Sequence, residues 1–540
     1  MTADTATQAP PSRGWLLAVA TVVAAALAVR LLFLGDKALW LDEAYSVWFS
    51  AQSWHTLWRE VPRFETHPPL YYSLLKIWRG PDSSEAVLRL PSALANAATV
   101  GLVALTASFA APARRKLPLA AAAALLFAAS PLQLSLAQEA RPYALLMLGL
   151  GVALTCASWI VAHPQRAGRP LWPRGRGDFC TTAAFSGLGL GTAAVLWLHN
   201  LGIVFAAALG AILIAWWSVQ RGNRGILFVN LLATALFTLV LYAPNLPTLL
   251  LQLQSVSEQF WLVAPSPAAL SRLIFQVYGQ WQQLYKHTFQ QLGIQLMLAV
   301  PLAVLGIKAT WRLRAESRWT AWLLLATAFG PLLLMLALSY TVQPVLLDRT
   351  LAPVQLPWAV ICAAAPFAVG PQRRPLVWGM IAAICLLNTA GFVVDQATAA
   401  RRDAARPWRI IAQRIAASDA ADAPVVIVPN SSALALGYYD AALGTALAIH
   451  PLPAAYPARG NAYRYPAGGQ VVPGIDDKVL PLLAEATAEA STVWLITRLE
   501  PVFDPQRIVR RALAARFPCA EQIIYGLIAV TRFDGAHRCG

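Results

Sequence analysis

Long apolar stretches recur along the first 400 residues of the chain, and short polar loops separate them. A helix that crosses a bilayer needs about 20 mostly apolar residues, so the pattern predicts about eleven spans. The predicted spans are residues 15–34, 86–110, 118–136, 142–162, 181–198, 201–218, 225–244, 291–308, 320–340, 351–370 and 376–396. The pattern therefore indicates a polytopic α-helical membrane protein.

Basic residues indicate how these spans are oriented. The loop after every even-numbered span is basic, and these loops contain Arg114–Lys116, Arg166–Arg176, Arg221–Arg224, Lys308–Arg318 and Arg373–Arg374. Short cytoplasmic loops carry an excess of Lys and Arg, so the alternation predicts that residues 1–14 form a cytoplasmic tail. The predicted external loops of the domain 15–396 are residues 35–85, 137–141, 245–290 and 341–350. An odd number of spans also places residues 397–540 outside.

Residues 397–540 have a different pattern, in which short apolar stretches replace the long ones. Residues 424–429, 492–497 and 522–530 predict buried strands, whereas 480–490 and 508–515 predict helices. About 140 residues suffice for one small α/β domain. Cys519 and Cys539 lie on either side of the last predicted strand. A disulfide between them suits an external, oxidising compartment, but the sequence leaves its formation open.

Composition agrees with a membrane location. Of the 540 residues, 58% are hydrophobic and 13% are charged, whereas soluble domains carry roughly 25% charged residues. A net charge of +16 would suggest nucleic-acid binding in a soluble protein, but here the arginines lie in short loops, where topology explains them. The remaining cysteines form no CxxC motif and no metal-ligand spacing, so no metal site is predicted.

Acidic and basic side chains cluster in the predicted external loops. The clusters are WLDEAYS at 40–46, ETHPPLYY at 65–72 and QEARPY at 138–143. A carboxylate at the membrane edge, Asp42 or Glu43, suits general-base work. Two prolines restrain the backbone beside His67, whose ring is able to bind a phosphate or a metal. Each cluster has a simpler interpretation. The first is then an interfacial helix whose acids face water, the second a rigid turn before a helix that dips into the interface, and the third a loop anchor in which Arg141 reaches the lipid headgroups.

Charges in the other loops extend this pattern. Glu139 and Arg141 are costly at a membrane surface unless they are paired or used, and an arginine matches phosphate geometry. Arg89, His199 and Arg349 stand alone at the predicted outer ends of spans. Each of them would alone be an interface anchor. Together they suit an anionic lipid headgroup that is presented from the external leaflet.

The order of these motifs resembles a known superfamily. An acidic pair in the first external loop is followed by HPPLYY, RLPSAL and QEARPYAL, most clearly within residues 30–150. LLDRTLAP and ARPWRIIA extend the likeness loosely to about residue 410. This resembles the GT-C membrane glycosyltransferases, and more narrowly the protein O-mannosyltransferase-like family (glycosyltransferase family 39) and the related lipid A aminoarabinose transferases. The latter tend to carry a lysine before the prolines, and no β-trefoil domain like that of the protein O-mannosyltransferases is evident here.

The resemblance implies a GT-C fold and an inverting transfer of a hexose or pentose from a polyprenyl-phosphate donor. The acceptor, a lipid, glycan or protein, is not identified. Asp42 would be the catalytic base, with Glu43 beside it in the site. The implied donor-phosphate or substrate-binding residues are His67, Arg89, Glu139, Arg141, Tyr143, His199 and Arg349. No cofactor is implied with certainty, and a divalent metal stays open. The implied location is a bacterial inner membrane, with a cytoplasmic N-terminus and an external, periplasmic tail domain.

Three other functions fit parts of the pattern. A transporter or flippase for lipid-linked sugars needs charges along its path, but charges avoid the middle of the predicted spans and no inverted repeat is seen. An oligosaccharide ligase or polymerase also uses external loops and arginines, but it does not require an acidic pair directly after the first span. A scaffold that binds through its tail domain ranks last, because that domain shows no recognisable catalytic constellation.

Overall fold

The computed structural model describes residues 13–80, 83–110, 115–171, 179–257, 262, 264–280, 288–398, 406–460, 463–466 and 471–535. Its α-helices up to residue 300 are Arg13–Leu31, Leu41–Ala51, Leu70–Trp78, Glu85–Ala110, Lys116–Ala128, Pro131–Ala137, Tyr143–Ala162, Pro164–Ala167, Phe179–Leu198, Gly202–Ser218, Arg224–Tyr242, Leu246–Ser257, Pro267–Val277 and Thr288–Thr341. Later helices are Asp348–Leu351, Gln355–Ala363, Arg374–Ala397, Trp408–Ala416, Ser432–Leu443, Leu480–Ala486, Glu500–Phe503 and Ile508–Arg516. The strands are β1 (Val425–Val428), β2 (Ile449–Pro451), β3 (Thr492–Arg498), β4 (Cys519–Tyr525) and β5 (Ile528–Asp534).

The chain divides into two compact units. The helical unit comprises Met1–Leu32, Arg89–Leu246 and Ala264–Val394. The sheet unit comprises Phe33–Leu88, Pro247–Val263 and Asp395–Gly540. The first predicted external loop therefore belongs to the same compact unit as the C-terminal tail. Hydrophobic periodicity does not indicate this grouping, because it arises from contacts between residues far apart in sequence.

Eight helices among the described residues are long and apolar enough to cross a membrane, and one bent pair would make nine. They are Arg13–Leu31, Glu85–Ala110, Tyr143–Ala162, Phe179–Leu198, Arg224–Leu253, Gly293–Arg312, Arg318–Thr341 and Pro371–Ala397. Each of the eight overlaps a span that the sequence predicts. The polytopic helical class is thereby confirmed.

The other three predicted spans are shorter or broken. The span at 118–136 forms two helices that meet at 63°, and the span at 201–218 is a helix of 17 residues. The span at 351–370 is divided into the helix Gln355–Ala363 and the 3₁₀ turns Ala352–Val354 and Ala365–Ala368.

Proline explains the breaks. Pro131 lies at the bend of the first pair, and Pro353 and Pro366 lie in the two 3₁₀ turns. A proline lacks the backbone N–H that an α-helix needs and clashes with the preceding turn. Every residue of Gln355–Ala363 is buried. Irregular backbone at membrane depth is tolerated where protein surrounds it, so the chain keeps its apolar character here without a single long helix.

The predicted basic loop at 309–319 is helical. Helix Thr288–Thr341 runs through it without interruption and contains two of the candidate spans. No glycine or proline lies between Ile307 and Trp319, so no residue there favours a turn over a helix. Local helix propensity therefore continues through a segment where charge alone predicts a loop.

Arg30 organises a buried polar network within the helical unit. Its side chain is fully buried, its Nε donates to Asn96 Oδ1 at 2.8 Å, and its terminal nitrogens donate to the carbonyls of Ala26 and Ala128 at 2.9 and 3.2 Å. Asn96 donates in turn to Gln133 Oε1 at 2.9 Å. A buried charge is tolerated where hydrogen bonds compensate it, and here they join helices that are distant in sequence.

The network continues to the broken tenth span. Gln133 Nε2 donates to Gln355 Oε1 at 2.9 Å, and Ser130 Oγ donates to the same oxygen at 2.9 Å. Gln355 Nε2 donates to the carbonyl of Val277 at 2.7 Å. Hydrogen bonds to fully buried amides fix both distance and direction. The network therefore specifies how these helices pack, which apolar contacts alone do only loosely.

We expect the substitution Asn96→Leu to destabilise the helical unit. It removes the Oδ1 acceptor of a buried guanidinium, and a hydrogen bond to a charged group contributes about 2 kcal/mol. The measurement is the thermal unfolding midpoint of the purified protein in detergent, which should fall by several degrees. Thr21→Ala is the control, because the Thr21 hydroxyl is exposed and bonds only to its own helix. Equal midpoints for the two variants would contradict a structural role for the network.

The sheet unit is built on a five-stranded sheet in the order β2-β1-β3-β5-β4. β1 pairs in parallel with β2 and β3, whereas β5 is antiparallel to β3 and to β4. Successive side chains of a strand point to opposite faces, and both faces of β1 are buried. Helices Trp408–Ala416 and Ser432–Leu443 pack on the face with Val425 and Ile427. Helices Leu480–Ala486 and Ile508–Arg516 contribute to the core on the face with Val426 and Val428.

The first loop contributes to this core as well. Ala38 and Ala44 are buried in the same apolar cluster as Trp408, Ile411 and Tyr439. Burial of apolar surface stabilises by about 25 cal/mol per Å². Apolar packing thus joins the loop and the tail into one folding unit.

The predicted strands at 424–429 and 492–497 correspond to β1 and β3, and the two predicted helices are present. The predicted strand at 522–530 is instead a hairpin, because Gly526, with φ of 59°, turns the chain between β4 and β5. Cys519 is disulfide-bonded. Cys539 and residues 1–12 of the predicted N-terminal tail lie outside the described residues. Cys156, Cys180, Cys362 and Cys385 carry free thiols.

Candidate functional site

The predicted catalytic pair begins a helix of the sheet unit. Asp42 and Glu43 occupy the first turn of Leu41–Ala51, hereafter the Asp42 helix, where the helix dipole favours acidic side chains. Trp40 precedes the helix in an extended conformation, and its backbone N–H donates to Glu43 Oε2 at 3.3 Å. This bond satisfies an amide at the helix start, where no intrahelical acceptor exists.

Glu43 forms a buried ion pair with the tail. Its side chain is fully buried, and Arg406 Nη1 donates to its Oε2 at 2.8 Å. The Arg406 guanidinium also lies 5.9 Å from the centre of the Trp40 ring. The carboxylate of Glu43 is thus buried and ion-paired, whereas Asp42 on the same helix is partly exposed. Of the predicted pair, Asp42 therefore has the better access to a reacting group, and Glu43 fixes the helix that carries it.

A second set of contacts holds both ends of the first loop. Arg409 Nη2 contacts Glu85 Oε1 at 2.5 Å and donates to the carbonyl of Gly35 at 3.1 Å. The hydroxyl of Tyr439 donates to Glu85 Oε1 at 2.8 Å and accepts from the backbone N–H of Leu39 at 2.6 Å. Burial, together with the charge of Glu85, raises the pKa of Tyr439. The phenol thus stays neutral and keeps its proton for Glu85.

His67 lies in the same unit beside a carboxylate. Its Nδ1 is 2.5 Å from Glu65 Oε1, and its backbone N–H donates to the same oxygen at 3.1 Å. Gln252 Nε2 donates to the carbonyls of Glu65 and His67. A carboxylate on one ring nitrogen fixes the orientation of a histidine and thereby aims the other nitrogen. The structure therefore holds His67 in one orientation, in a loop where Pro68 and Pro69 restrain the backbone.

Four of the predicted substrate-binding residues are buried in the helical unit. They are Glu139, Arg141, Tyr143 and His199. The Arg141 guanidinium lies 5.9 Å from the centre of the Tyr143 ring, which in turn lies 5.9 Å from the His199 ring. Glu139, Arg141 and His199 are each exposed by less than a tenth of their surface. His199 Nδ1 accepts from the backbone N–H of Leu201 at 3.1 Å, so the neutral ring carries its proton on Nε2 and is a donor there.

Arg89 and Arg349 belong to the same unit. Arg89 is 1% exposed and stands one helical turn before Ser92, whose hydroxyl donates to the carbonyl of Arg141 at 3.5 Å. Arg349 lies in the short helix Asp348–Leu351, and its backbone N–H donates to Asp348 Oδ1 at 2.7 Å. The predicted site residues thus form two groups, with Asp42, Glu43 and His67 in the sheet unit and the others in the helical unit.

Sequence reasoning missed Arg406, Glu85 and Tyr439. Arg406 lies in the ARPWRIIA segment, which the motif pattern does single out, but its partner Glu43 is 363 residues away. No local pattern signals a pair at that distance. Among the described residues, no group of three or more His, Cys, Asp or Glu side chains is arranged to hold a metal ion.

The geometry and fold can be compared with solved structures. ArnT from Cupriavidus metallidurans in the apo state is similar with a TM-score of 0.57 and 16% identity, over 96% of this chain and 98% of that one. The same protein bound to undecaprenyl phosphate is similar with a TM-score of 0.58 and 15% identity, again over 96% of this chain and 98% of that one. A third similar structure is the oligosaccharyltransferase AglB from Archaeoglobus fulgidus in complex with an inhibitory peptide and a dolichol-phosphate. Its TM-score is 0.53 and its identity 11%, over 98% of this chain and 75% of that one.

No family model and no curated protein matches the sequence. At these identities the structural likeness establishes the fold. The GT-C fold that the motifs imply is therefore confirmed.

We expect Arg406→Met to be strongly destabilising. It leaves Glu43 buried without its guanidinium, which costs about 3–5 kcal/mol, whereas removal of both charges costs much less. The measurement is a double-mutant cycle on the thermal midpoint with Arg406→Met, Glu43→Gln and the double variant. The double variant should recover most of the loss. Arg63→Met is the control, because its pair with Glu60 is exposed and should contribute less than about 1 kcal/mol. Additive effects of the two substitutions would contradict a coupled buried pair.

Proposed function

We propose that this protein is an inverting glycosyltransferase that moves a sugar from a polyprenyl-phosphate donor to an acceptor at the external face of the membrane. The fold supports this most strongly, because two solved structures with that fold contain undecaprenyl phosphate and dolichol-phosphate. The motif resemblance of the first loop to glycosyltransferases is independent support. The eight candidate spans support the membrane location, and the basic loops support an external position of the active site.

Asp42 is the proposed catalytic base. It accepts the proton of an acceptor hydroxyl as that oxygen attacks the anomeric carbon of the donor sugar. The bond from that carbon to the phosphate oxygen breaks, and polyprenyl phosphate leaves with the bonding electrons. Attack on the face opposite the leaving group inverts the anomeric configuration. General-base assistance contributes about 10²- to 10⁴-fold to such a step.

The buried ion pair supports this role for Asp42. A base acts efficiently only when it is held within hydrogen-bond reach of the proton it takes. The Glu43–Arg406 bond fixes the first turn of the Asp42 helix in the sheet unit. Glu43 is thus the proposed positioning residue, and the acid that remains for chemistry is Asp42.

The leaving phosphate requires cationic or donor groups, and the proposed ligands are Arg89, Arg141 and Arg349 with His67 and His199. Guanidinium groups bind phosphate oxygens in a bidentate, charge-assisted manner, and such preorganised charge is often the largest single contribution to catalysis. Tyr143 packs against both Arg141 and His199, so it orients them. Glu139 is proposed as a second acid of the site, and a divalent metal stays open.

A second candidate is the transfer of an oligosaccharide rather than a single sugar. The likeness to AglB, an oligosaccharyltransferase, favours it. The ArnT likeness covers nearly all of both chains, whereas AglB has length that this chain does not match. A hexose or pentose donor, which the motif resemblance implies, is the first choice, and the donor panel below includes both kinds.

We expect Asp42→Asn to lower transfer about a hundredfold or more, because asparagine keeps the shape but cannot take a proton. The measurement is transfer to acceptor, or slow hydrolysis, of radiolabelled polyprenyl-phosphate monosaccharides and oligosaccharides by the purified protein. Asp477→Asn is the matched control, an exposed acid of the same unit, and should keep full activity. Equal activity of Asp42→Asn and the wild type would remove Asp42 as base. If no variant or wild-type preparation consumes any donor, the glycosyltransferase proposal fails.

A further inference from the structure

The carboxyl ends of β1 and β3 lie side by side within the sheet unit. The two strands are parallel neighbours, with Val428 of β1 opposite Thr497 of β3. After β1 the chain enters helix Ser432–Leu443, which packs on one face of the sheet. After β3 it leads to helix Ile508–Arg516, which packs on the other face. Adjacent strands whose connections leave toward opposite faces define the switch point at which open α/β sheets bind ligands.

Polar side chains at this switch point are buried without internal partners. Asn430 is fully buried, and neither its Oδ1 nor its Nδ2 has a hydrogen-bond partner among the described residues. The hydroxyl groups of Ser432 and Thr497 also have no hydrogen-bond partner among the described residues. Ser432 is fully buried and Thr497 is 2% exposed. A buried polar group without a partner destabilises the folded protein. Four such atoms at the ends of two neighbouring strands indicate a place for a hydrogen-bonding ligand.

The segment that follows β1 approaches the Asp42 helix. Ser431, between Asn430 and Ser432, lies close enough to Tyr45 for their hydroxyl groups to interact. Tyr45 stands three residues after Asp42 and is therefore on the same side of that helix. Burial raises the pKa of Tyr45, and the nearby carboxylates of Asp42 and Glu65 act in the same direction. The phenol is therefore neutral and available as a hydrogen-bond donor.

Aromatic rings pack against Tyr45 and Trp48 of the Asp42 helix. The Tyr456 ring lies 5.2 Å from the Tyr45 ring and 5.1 Å from the Trp48 ring, measured between centroids. Small-molecule sites combine such apolar walls with a few polar groups that fix orientation. An amide and hydroxyls both donate and accept hydrogen bonds and carry no charge. This chemistry matches the hydroxyl groups and apolar ring faces of a carbohydrate.

We propose that Asn430, Ser432 and Thr497 bind hydroxyl groups of a sugar, so that the C-terminal sheet supplies sugar recognition next to Asp42. As a contribution to transfer, the proposal rests on the proposed function, since the sugar is part of the donor or of the acceptor. The binding itself stands independently. Leu499, directly after β3, has φ of 51°, a left-handed conformation that is unfavourable for a residue other than glycine. Such strain is typical of functional loops.

The first test measures binding alone, with full-length protein in detergent. The probes are methyl glycosides of common hexoses and pentoses, observed by saturation-transfer NMR. Asn430→Leu and Thr497→Val should weaken binding at least tenfold. Thr492→Val is the matched control, because Thr492 lies at the other end of β3 and bonds to Asp534; it should bind as the wild type does.

Thermal stability distinguishes a sugar-binding role of Asn430 and Thr497 from a purely structural one. Because the Asn430 and Thr497 side chains have no internal partner in the described chain, apolar substitutes of similar shape should leave the thermal midpoint unchanged or raise it. A lower midpoint with unchanged glycoside binding would overturn the proposal. Absence of binding by the wild type to every glycoside of the panel would overturn it as well.

The second test identifies which substrate carries the sugar. If it is the donor, Asn430→Leu weakens binding of polyprenyl-phosphate sugar about tenfold and leaves binding of sugar-free polyprenyl phosphate unchanged. If it is the acceptor, donor binding is unchanged and the KM for the acceptor rises about tenfold. Glycoside binding without any transfer refutes the glycosyltransferase but retains the sugar site. Sugar transfer that requires Asp42 but is unchanged by Asn430→Leu and Thr497→Val would support the glycosyltransferase and refute the sugar site.

Discussion

A charged side chain that leaves water must find its compensation inside the protein, and this constraint shapes both units. Desolvation of an ion costs several kcal/mol, which only close partners and hydrogen bonds offset. Glu43 is compensated by Arg406, and Arg30 by Asn96 and two backbone carbonyls. Each arrangement has few alternatives, because an incorrect packing would leave the charge alone. Apolar burial provides most of the stabilisation, and these bonds select one packing among many.

The same constraint explains how the first loop, residues 35–85, is held. The first loop does not form a hydrophobic core of its own, and its residues Ala38 and Ala44 are buried in a cluster formed mostly by the tail. The tail contributes Trp408, Ile411 and Tyr439 to that cluster, and supplies the cations Arg406 and Arg409. The loop is thereby held by apolar packing and by ion pairs within the sheet unit. Under the proposed function, this support would hold Asp42 in place as a catalytic base requires.

The sequence predicts much of the fold because the membrane imposes a simple rule of length and hydropathy. Eight predicted spans are long helices, and β1 and β3 follow from uninterrupted apolar stretches. What the rule misses has local causes, such as Pro353 and Pro366 in the tenth span and the turn at Gly526. It misses β2, whose three residues carry no periodic signal. The candidate acids and bases are visible as charges in apolar surroundings, whereas the Glu43–Arg406 pair joins residues too far apart for any pattern to show.

The distance between those two residues also has a consequence in time. A ribosome adds about 5–20 residues per second, so the 363 residues that separate Glu43 from Arg406 take on the order of 20–70 s to synthesise. During that interval the first loop lacks both the partner of its buried acid and the apolar surface that covers it. The sheet unit therefore completes its folding only after nearly the whole membrane-spanning portion has been made. A nascent chain interrupted before residue 406 retains its spans but lacks the contacts that hold the first loop, so that loop is assembled only at the end of synthesis.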